Sequence, residues 1–294
     1  MPSTKAVFRC SSNQLIDGED EQTPTKILAP SLQNLELYGA SIESGLDLPW
    51  EQIKLYRSTN ADLEFIGYMQ NLEEITIDDS SSPAGSVETT DTQTNILPNV
   101  RHIEYNFPDT VVDVHNWLFI HYNFESLRTL VFNAPYSHPE DASLSFRFIL
   151  PSVLELSLQS RRANFIRDIL LATPNVQSLH IDIEMDPENV MNCSTPGRAS
   201  VGNLRRLKHL SISQAGNVYM ILSAMDTAVT SLKVIGLHLE TISFYSPIQK
   251  WEGREISANK WIAHIQGRMA NSLLVGKWTM VFVVLELGVG DNKG

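Results

Sequence analysis

One short pattern recurs along this chain and constrains its fold more than any other feature. It is a hexad: an apolar residue, two variable residues, an apolar residue, one variable residue and a further apolar residue. The first copy is Leu32-Gln33-Asn34-Leu35-Glu36-Leu37, and others occupy 72–77, 100–105, 127–132, 153–158, 176–181, 207–212 and 232–237. Their first positions are separated by 40, 28, 27, 26, 23, 31 and 25 residues. A degenerate unit at Ile53 divides the gap of 40 into 21 and 19, giving eight intervals over 200 residues, a mean of 25. Apolar alternation alone is what any half-buried strand shows, but its return at a near-constant period marks a repeat architecture.

A unit of this length that opens L-x-x-L-x-L is the signature of a leucine-rich repeat. The predicted fold class is therefore α/β: a leucine-rich-repeat solenoid with a curved parallel sheet on the concave side and helices on the convex side. A single strand–helix unit cannot cover its own apolar face, so neighbouring units stack and bury a continuous core. Between hexads, 62–69, 114–124, 164–171 and 217–225 are amphipathic at helical spacing. Several end just before a proline, as at Thr173-Pro174, and proline disfavours helical geometry in the residue before it.

The predicted organisation has three parts. Residues 1–28 are polar and acidic and are expected to lack stable structure. Residues 29–245 form the repeat domain, with inserted loops at 78–95 and 187–203. Residues 246–294, where the pattern fades, form an irregular segment whose apolar run 278–285 reads as a buried strand, being far shorter than the roughly 20 residues of a membrane helix.

The recurrent phrases Ala29-Pro30-Ser31-Leu32, Leu97-Pro98-Asn99-Val100, Leu150-Pro151-Ser152-Val153 and Thr173-Pro174-Asn175-Val176 stand beside Leu48-Pro49-Trp50-Glu51-Gln52-Ile53 and Met69-Gln70-Asn71-Leu72-Glu73-Glu74. Together they resemble the leucine-rich region of F-box-like proteins of mushroom-forming fungi, over roughly 29–240. The resemblance implies repeats that select the target of a cullin-type ubiquitin ligase. The F-box helices that would dock onto the ligase adaptor have no counterpart before Ala29, so an adaptor partner is expected only if an F-box lies upstream.

Charge narrows the partner. The chain holds 22 Lys+Arg and 34 Asp+Glu, a net charge of −12. Residues 1–100 carry 5 basic and 16 acidic side chains (−11), and 101–294 carry 17 and 18 (−1). Without a dense positive surface to displace counterions, nucleic acid is not an expected partner, and neither is a membrane. Cys10 and Cys193 are too few for a disulfide framework and lack zinc-site spacing. With no secretory signal after Met1, an intracellular location, cytoplasm or nucleus, is expected.

An enzyme is the competing class, and the chain lacks its motifs: no G-x-G-x-x-G, P-loop, H-E-x-x-H or G-x-S-x-G occurs. Asp182, Glu184 and Asp186 alternate in the manner of a solvated strand face rather than a calcium loop. Trp50 and Trp117 read as packing residues. No catalytic residue, metal or cofactor is expected.

The functional expectation is a protein–protein interaction module. Strand alternation turns the variable positions of the hexads outward, so the predicted partner-binding face comprises Asn34, Glu36, Glu74, Thr76, His102, Glu104, Thr129, Val131, Glu155, Ser157, Ser178, His180, His209 and Ser211. Its carboxylates lie mainly in the earlier repeats, which suits a protein partner with a basic segment.

Overall fold

A computed structural model describes residues 4–9, 25–26, 31–39, 46–59, 63–78, 95–106, 114–134, 148–160, 163–183, 204–213, 239–245 and 275–278. The chain divides into two compact units, Met1–Thr173 and Pro174–Gly294. In chain order, the first holds β1 (Thr4–Arg9), β2 (Thr25–Lys26), β3 (Leu32–Tyr38), β4 (Leu46–Asp47), β5 (Leu55–Thr59), β6 (Glu74–Asp78), β7 (Asn95–Ile96), β8 (His102–Asn106), α1 (Val114–His121), β9 (Tyr122–Asn123), β10 (Thr129–Ala134), β11 (Glu155–Ser160) and α2 (Ala163–Ala172). The second holds β12 (Ser178–Ile183), β13 (His209–Ser213), β14 (Leu239–Tyr245) and β15 (Val275–Trp278).

Every long strand pairs in parallel with its neighbour, in the order β1-β3-β5-β6-β8-β10-β11 in the first unit and β12-β13-β14-β15 in the second. This is a parallel-strand β-solenoid, and the hexads hold its register: Leu35, Tyr56, Ile75, Ile103, Leu130 and Leu156 fall in one file. All three apolar positions of the hexads at 32, 72, 100, 127, 153, 176 and 207 are buried. The predicted unit at Ile53 is present as β5, with Ile53, Tyr56 and Ser58 in those three positions and all buried. Within this core the Tyr105 and Phe132 rings stack at 4.9 Å between neighbouring coils, a geometry that adds to simple area burial.

The apolar pattern reaches further back than the hexad. Three residues before it stand Met69, Leu97, Phe124, Leu150 and Leu204, all buried. From that position the chain makes a two-residue turn into the hexad, closed by Leu72 N–H to Met69 O (3.2 Å), Leu127 to Phe124 (3.3 Å), Val153 to Leu150 (3.3 Å) and Leu207 to Leu204 (3.0 Å). Pro98, Pro151 and Pro174 are the first residue of such turns, where a fixed φ pre-sets the bend. The prolines thus open turns as well as following helices. Thr173 takes the buried apolar position ahead of Pro174, its hydroxyl donating to Ile169 O at 2.8 Å.

Backbone pairing begins one step before each strand. The carbonyl of Lys54 accepts from both Glu73 and Glu74, that of Glu73 from Arg101 and His102, that of Arg101 from Arg128 and Thr129, and that of Arg128 from Leu154 and Glu155. In the second unit Gln177 and Lys208 do the same for the coils that follow them.

The segments between strands are less uniformly helical than the repeat predicts. Among the described residues two α-helices form in the expected segments: α1, which ends at His121 where β9 begins instead of running to Phe124, and α2, which buries Ile166, Ile169 and Leu170. The expected helix at 62–69 is instead a 3-10 helix, Leu63–Tyr68. It lies in the shortest coil, 19 residues from Ile53 to Leu72, and 3-10 geometry rises about 2.0 Å per residue against 1.5 Å, crossing the same span with less chain. The expected helix at 217–225 lies outside the described residues.

Three further expectations change. The N-terminal segment is not wholly without structure: Thr4–Arg9 forms β1, whose Ala6 and Phe8 align with Leu35 and Leu37 of β3, while 17–22 lie outside the described residues. The strand that pairs with β13 is β14, where Leu239, Ile242 and Phe244 repeat the spacing seven residues after the predicted hexad at 232–237, which lies outside the described residues. Both stretches carry the apolar pattern, and LETISFY is the richer in β-formers. The repeat also continues past residue 245, since Val275–Trp278 pairs with β14; this strand ends where the predicted run 278–285 begins. Of the inserted loops expected at 78–95 and 187–203, the end residues Asp78 and Asn95 belong to β6 and β7, and the rest lies outside the described residues.

Candidate functional site

Side chains alternate along a strand, so burying the apolar positions of each hexad turns its third, fifth and following residues to the other face. Because all pairs share one register, these residues form rows across the coils. In the first unit the third-position row runs Asn34, Leu55, Glu74, His102, Thr129, Glu155. The fifth-position row runs Glu36, Arg57, Thr76, Glu104, Val131, Ser157. All ten predicted residues of this unit therefore lie on one face, most of them half-buried, with Glu74 and Glu155 exposed. In the second unit Ser178 aligns with His209, and His180 with Ser211.

The electrostatics of this face differ from a plain acidic patch. Glu36 is held by Lys5 of β1 at 2.5 Å, and Arg57 is bound to Asp78. The hydrogen bond to Asp78 raises the Arg57 pKa above its usual value, against the opposing effect of burial. His102 approaches Glu104 at 3.9 Å, and the Thr129 hydroxyl donates to Glu155 at 3.3 Å. Exposed pairs of this kind contribute little to stability; what they set is which charges remain for a partner. Glu74, Glu104 and Glu155 retain carboxylate oxygens with no Lys or Arg among the described residues in salt-bridge range.

A row beside these was not foreseen. After the last apolar residue of the hexads come Asp78, Asn106 and Asn133, aligned on β6, β8 and β10. The Asn133 amide donates to Asn106 Oδ1 at 2.6 Å and the Asn106 amide to Asp78 Oδ1 at 2.7 Å. With Arg57 on the other oxygen of Asp78, four residues from four coils make one polar chain. Its sequence signal was available: three successive hexads end in an apolar residue followed by Asp or Asn.

In the second unit His180 Nδ1 lies 2.9 Å from Ser211 Oγ and its Nε2 3.3 Å from Ser213 Oγ. Burial lowers its pKa. His209 Nδ1 lies 2.8 Å from Thr241 Oγ1, and its Nε2 3.9 Å from Glu240. Asp182 lies on β12, whereas Glu184 and Asp186 fall outside the described residues. Among the described residues no three His, Cys, Asp or Glu side chains gather as a metal site, and no helix is long and apolar enough to cross a membrane. Trp50 stacks on Phe65 with centroids 5.4 Å apart, in line with a packing role; the Trp117 side chain lies outside the described residues.

Comparison with protein families, with curated proteins and with solved structures returns no match.

Proposed function

We propose that the chain is a protein-recognition module of the leucine-rich-repeat type, and that the outward rows of the first unit form its binding face. The observation that carries this reading is the in-register array of polar, half-exposed side chains on a continuous parallel ladder. Such a surface holds its groups in place before a partner arrives, which lowers the ordering cost of binding. Glu74, Glu104 and Glu155 supply negative potential for a partner segment bearing Lys or Arg, where complementary charge mainly speeds and orients encounter.

The resemblance of the repeats to F-box-like proteins extends the reading: this face selects the substrate of a ubiquitin ligase. Affinity purification of the tagged chain, followed by mass spectrometry, tests both levels. Partners lost on the triple reversal E36K/E74K/E104K support the binding face, and an unchanged partner set refutes it. Co-purification of a ubiquitin ligase adaptor supports the ligase link; partners without any adaptor leave a stand-alone repeat adaptor.

A further inference from the structure

Unpaired charges of both signs stand in a fixed order across the first unit. Glu74 on β6 aligns with His102 on β8, Thr129 on β10 and Glu155 on β11. Arg101 and Arg128 immediately precede His102 and Thr129 at the margin of that row, so four consecutive coils present Glu74, Arg101, Arg128 and Glu155, all exposed. None of the four belongs to an ion pair among the described residues; Glu155 accepts only from the Thr129 hydroxyl. The neighbouring charges do not fill the gap. Lys54 holds Glu73 at 2.6 Å, Glu104 faces His102 at 3.9 Å, and Glu125, in the turn before Arg128, is outside salt-bridge range of either arginine.

Two arginines side by side on neighbouring coils repel, and like charges opposite one another cost stability in a sheet. Here the backbone holds them there, Arg128 N–H donating to Arg101 O at 2.9 Å. A carboxylate set between the two guanidinium forks removes that cost and gains charge-assisted hydrogen bonds. With coils about 4.8 Å apart, Glu74 and Glu155 are about 14 Å apart, and the arginines flank the midpoint, about 7 Å from each. The order minus, plus, plus, minus is therefore met by a partner carrying plus, minus, plus in steps of about 7 Å. Same-side residues of an extended chain recur about every 6.6 Å. On an α-helix, residues four apart rise about 6 Å but rotate by about 40° at each step, which carries the third charge off the face.

We propose that the first unit binds an extended segment of a protein partner with the pattern basic-x-acidic-x-basic, laid across the coils from β6 to β11. Arg101 and Arg128 hold its acidic side chain, and Glu74 and Glu155 hold the two basic ones. The inference rests on the outward face being the binding face, and it narrows the partner from a basic segment to one of alternating sign.

The test is selection from a displayed library of random peptides with the full chain as bait, followed by fluorescence anisotropy on the most enriched peptide. Enriched peptides should carry Lys or Arg, then Asp or Glu, then Lys or Arg at alternate positions. Replacing the acidic residue of the best peptide by Lys should weaken binding to the wild type by at least roughly fivefold, the worth of about one exposed ion pair, although the peptide becomes more basic. R101E/R128E should reverse that preference, and E74Q/E155Q should weaken the original peptide. Circular dichroism checks that these exposed substitutions keep the wild-type fold. Enriched peptides that are basic throughout and bind R101E/R128E as they bind the wild type, but are lost on E36K/E74K/E104K, overturn the proposal and leave the binding face standing. Peptides that the triple reversal retains refute the face and this inference with it, and the absence of any enriched peptide overturns the inference as well.

Discussion

Leu130 and Val131 are adjacent on β10 and test the register directly. Leu130 is fully buried, between Ile103 and Leu156 on the neighbouring strands; Val131 turns outward, between Glu104 and Ser157. Leu130→Ala removes the equivalent of three buried methylene groups at about 0.8 kcal/mol each, or about 2.4 kcal/mol. A cavity walled by two adjacent coils relaxes only in part and raises the total to about 3–5 kcal/mol. Val131→Ala removes two methyl groups from a half-covered site, for about 0.8 kcal/mol. Urea unfolding followed by far-ultraviolet circular dichroism measures both. Because a one-residue slip would exchange the two faces of the strand, equal costs at the two positions, or a larger cost at Val131→Ala, would refute the register and every outward row derived from it.

Three further outcomes are expected. A Cβ on Gly67 would sit 3.1 Å from the Tyr122 hydroxyl, so Gly67→Ala should destabilise the first unit by about 1 kcal/mol, read from the shift of its urea midpoint. Replacing Asn106 by Leu breaks the amide chain on both sides, and unfolding should show a loss of about 1–3 kcal/mol; a neutral result would remove any structural role for that chain. The half-buried His180 has its folded pKa below the unfolded value because burial disfavours its charged form. Its contribution is therefore present above the ordinary histidine value near 6.5 and lost as pH falls through the folded pKa. Thermal stability of the wild type should drop across that acid range, and His180→Gln should flatten the profile.

The core was legible because its code is local. Leu32, Leu35 and Leu37 announce an inward face by spacing alone, and six similar segments repeat it in consecutive order. Ser58 hid one coil, since a small hydroxyl residue replaces the last apolar position, and only the doubled interval revealed it. Apolar spacing could not choose between Leu232 and Leu239 as the start of the next hexad, because both stretches satisfy it.

The binding face was legible only as far as direction. That Glu36 and Asp78 point outward follows from alternation. That Lys5 neutralises one and Arg57 the other depends on contacts across neighbouring coils, which hexad spacing does not specify.

The order of pairing has a consequence for how the first unit can be made. From β3 onward each long strand pairs with the next long strand in the chain, and the hexads of β3, β5, β6, β8, β10 and β11 start 21, 19, 28, 27 and 26 residues apart. Parallel sheets usually fold slowly because their partners are distant in sequence, but no such pairing here waits for chain made much later. A nascent polypeptide can lay each coil on the preceding one as it leaves the ribosome, burying each Leu or Ile file before the next is synthesised.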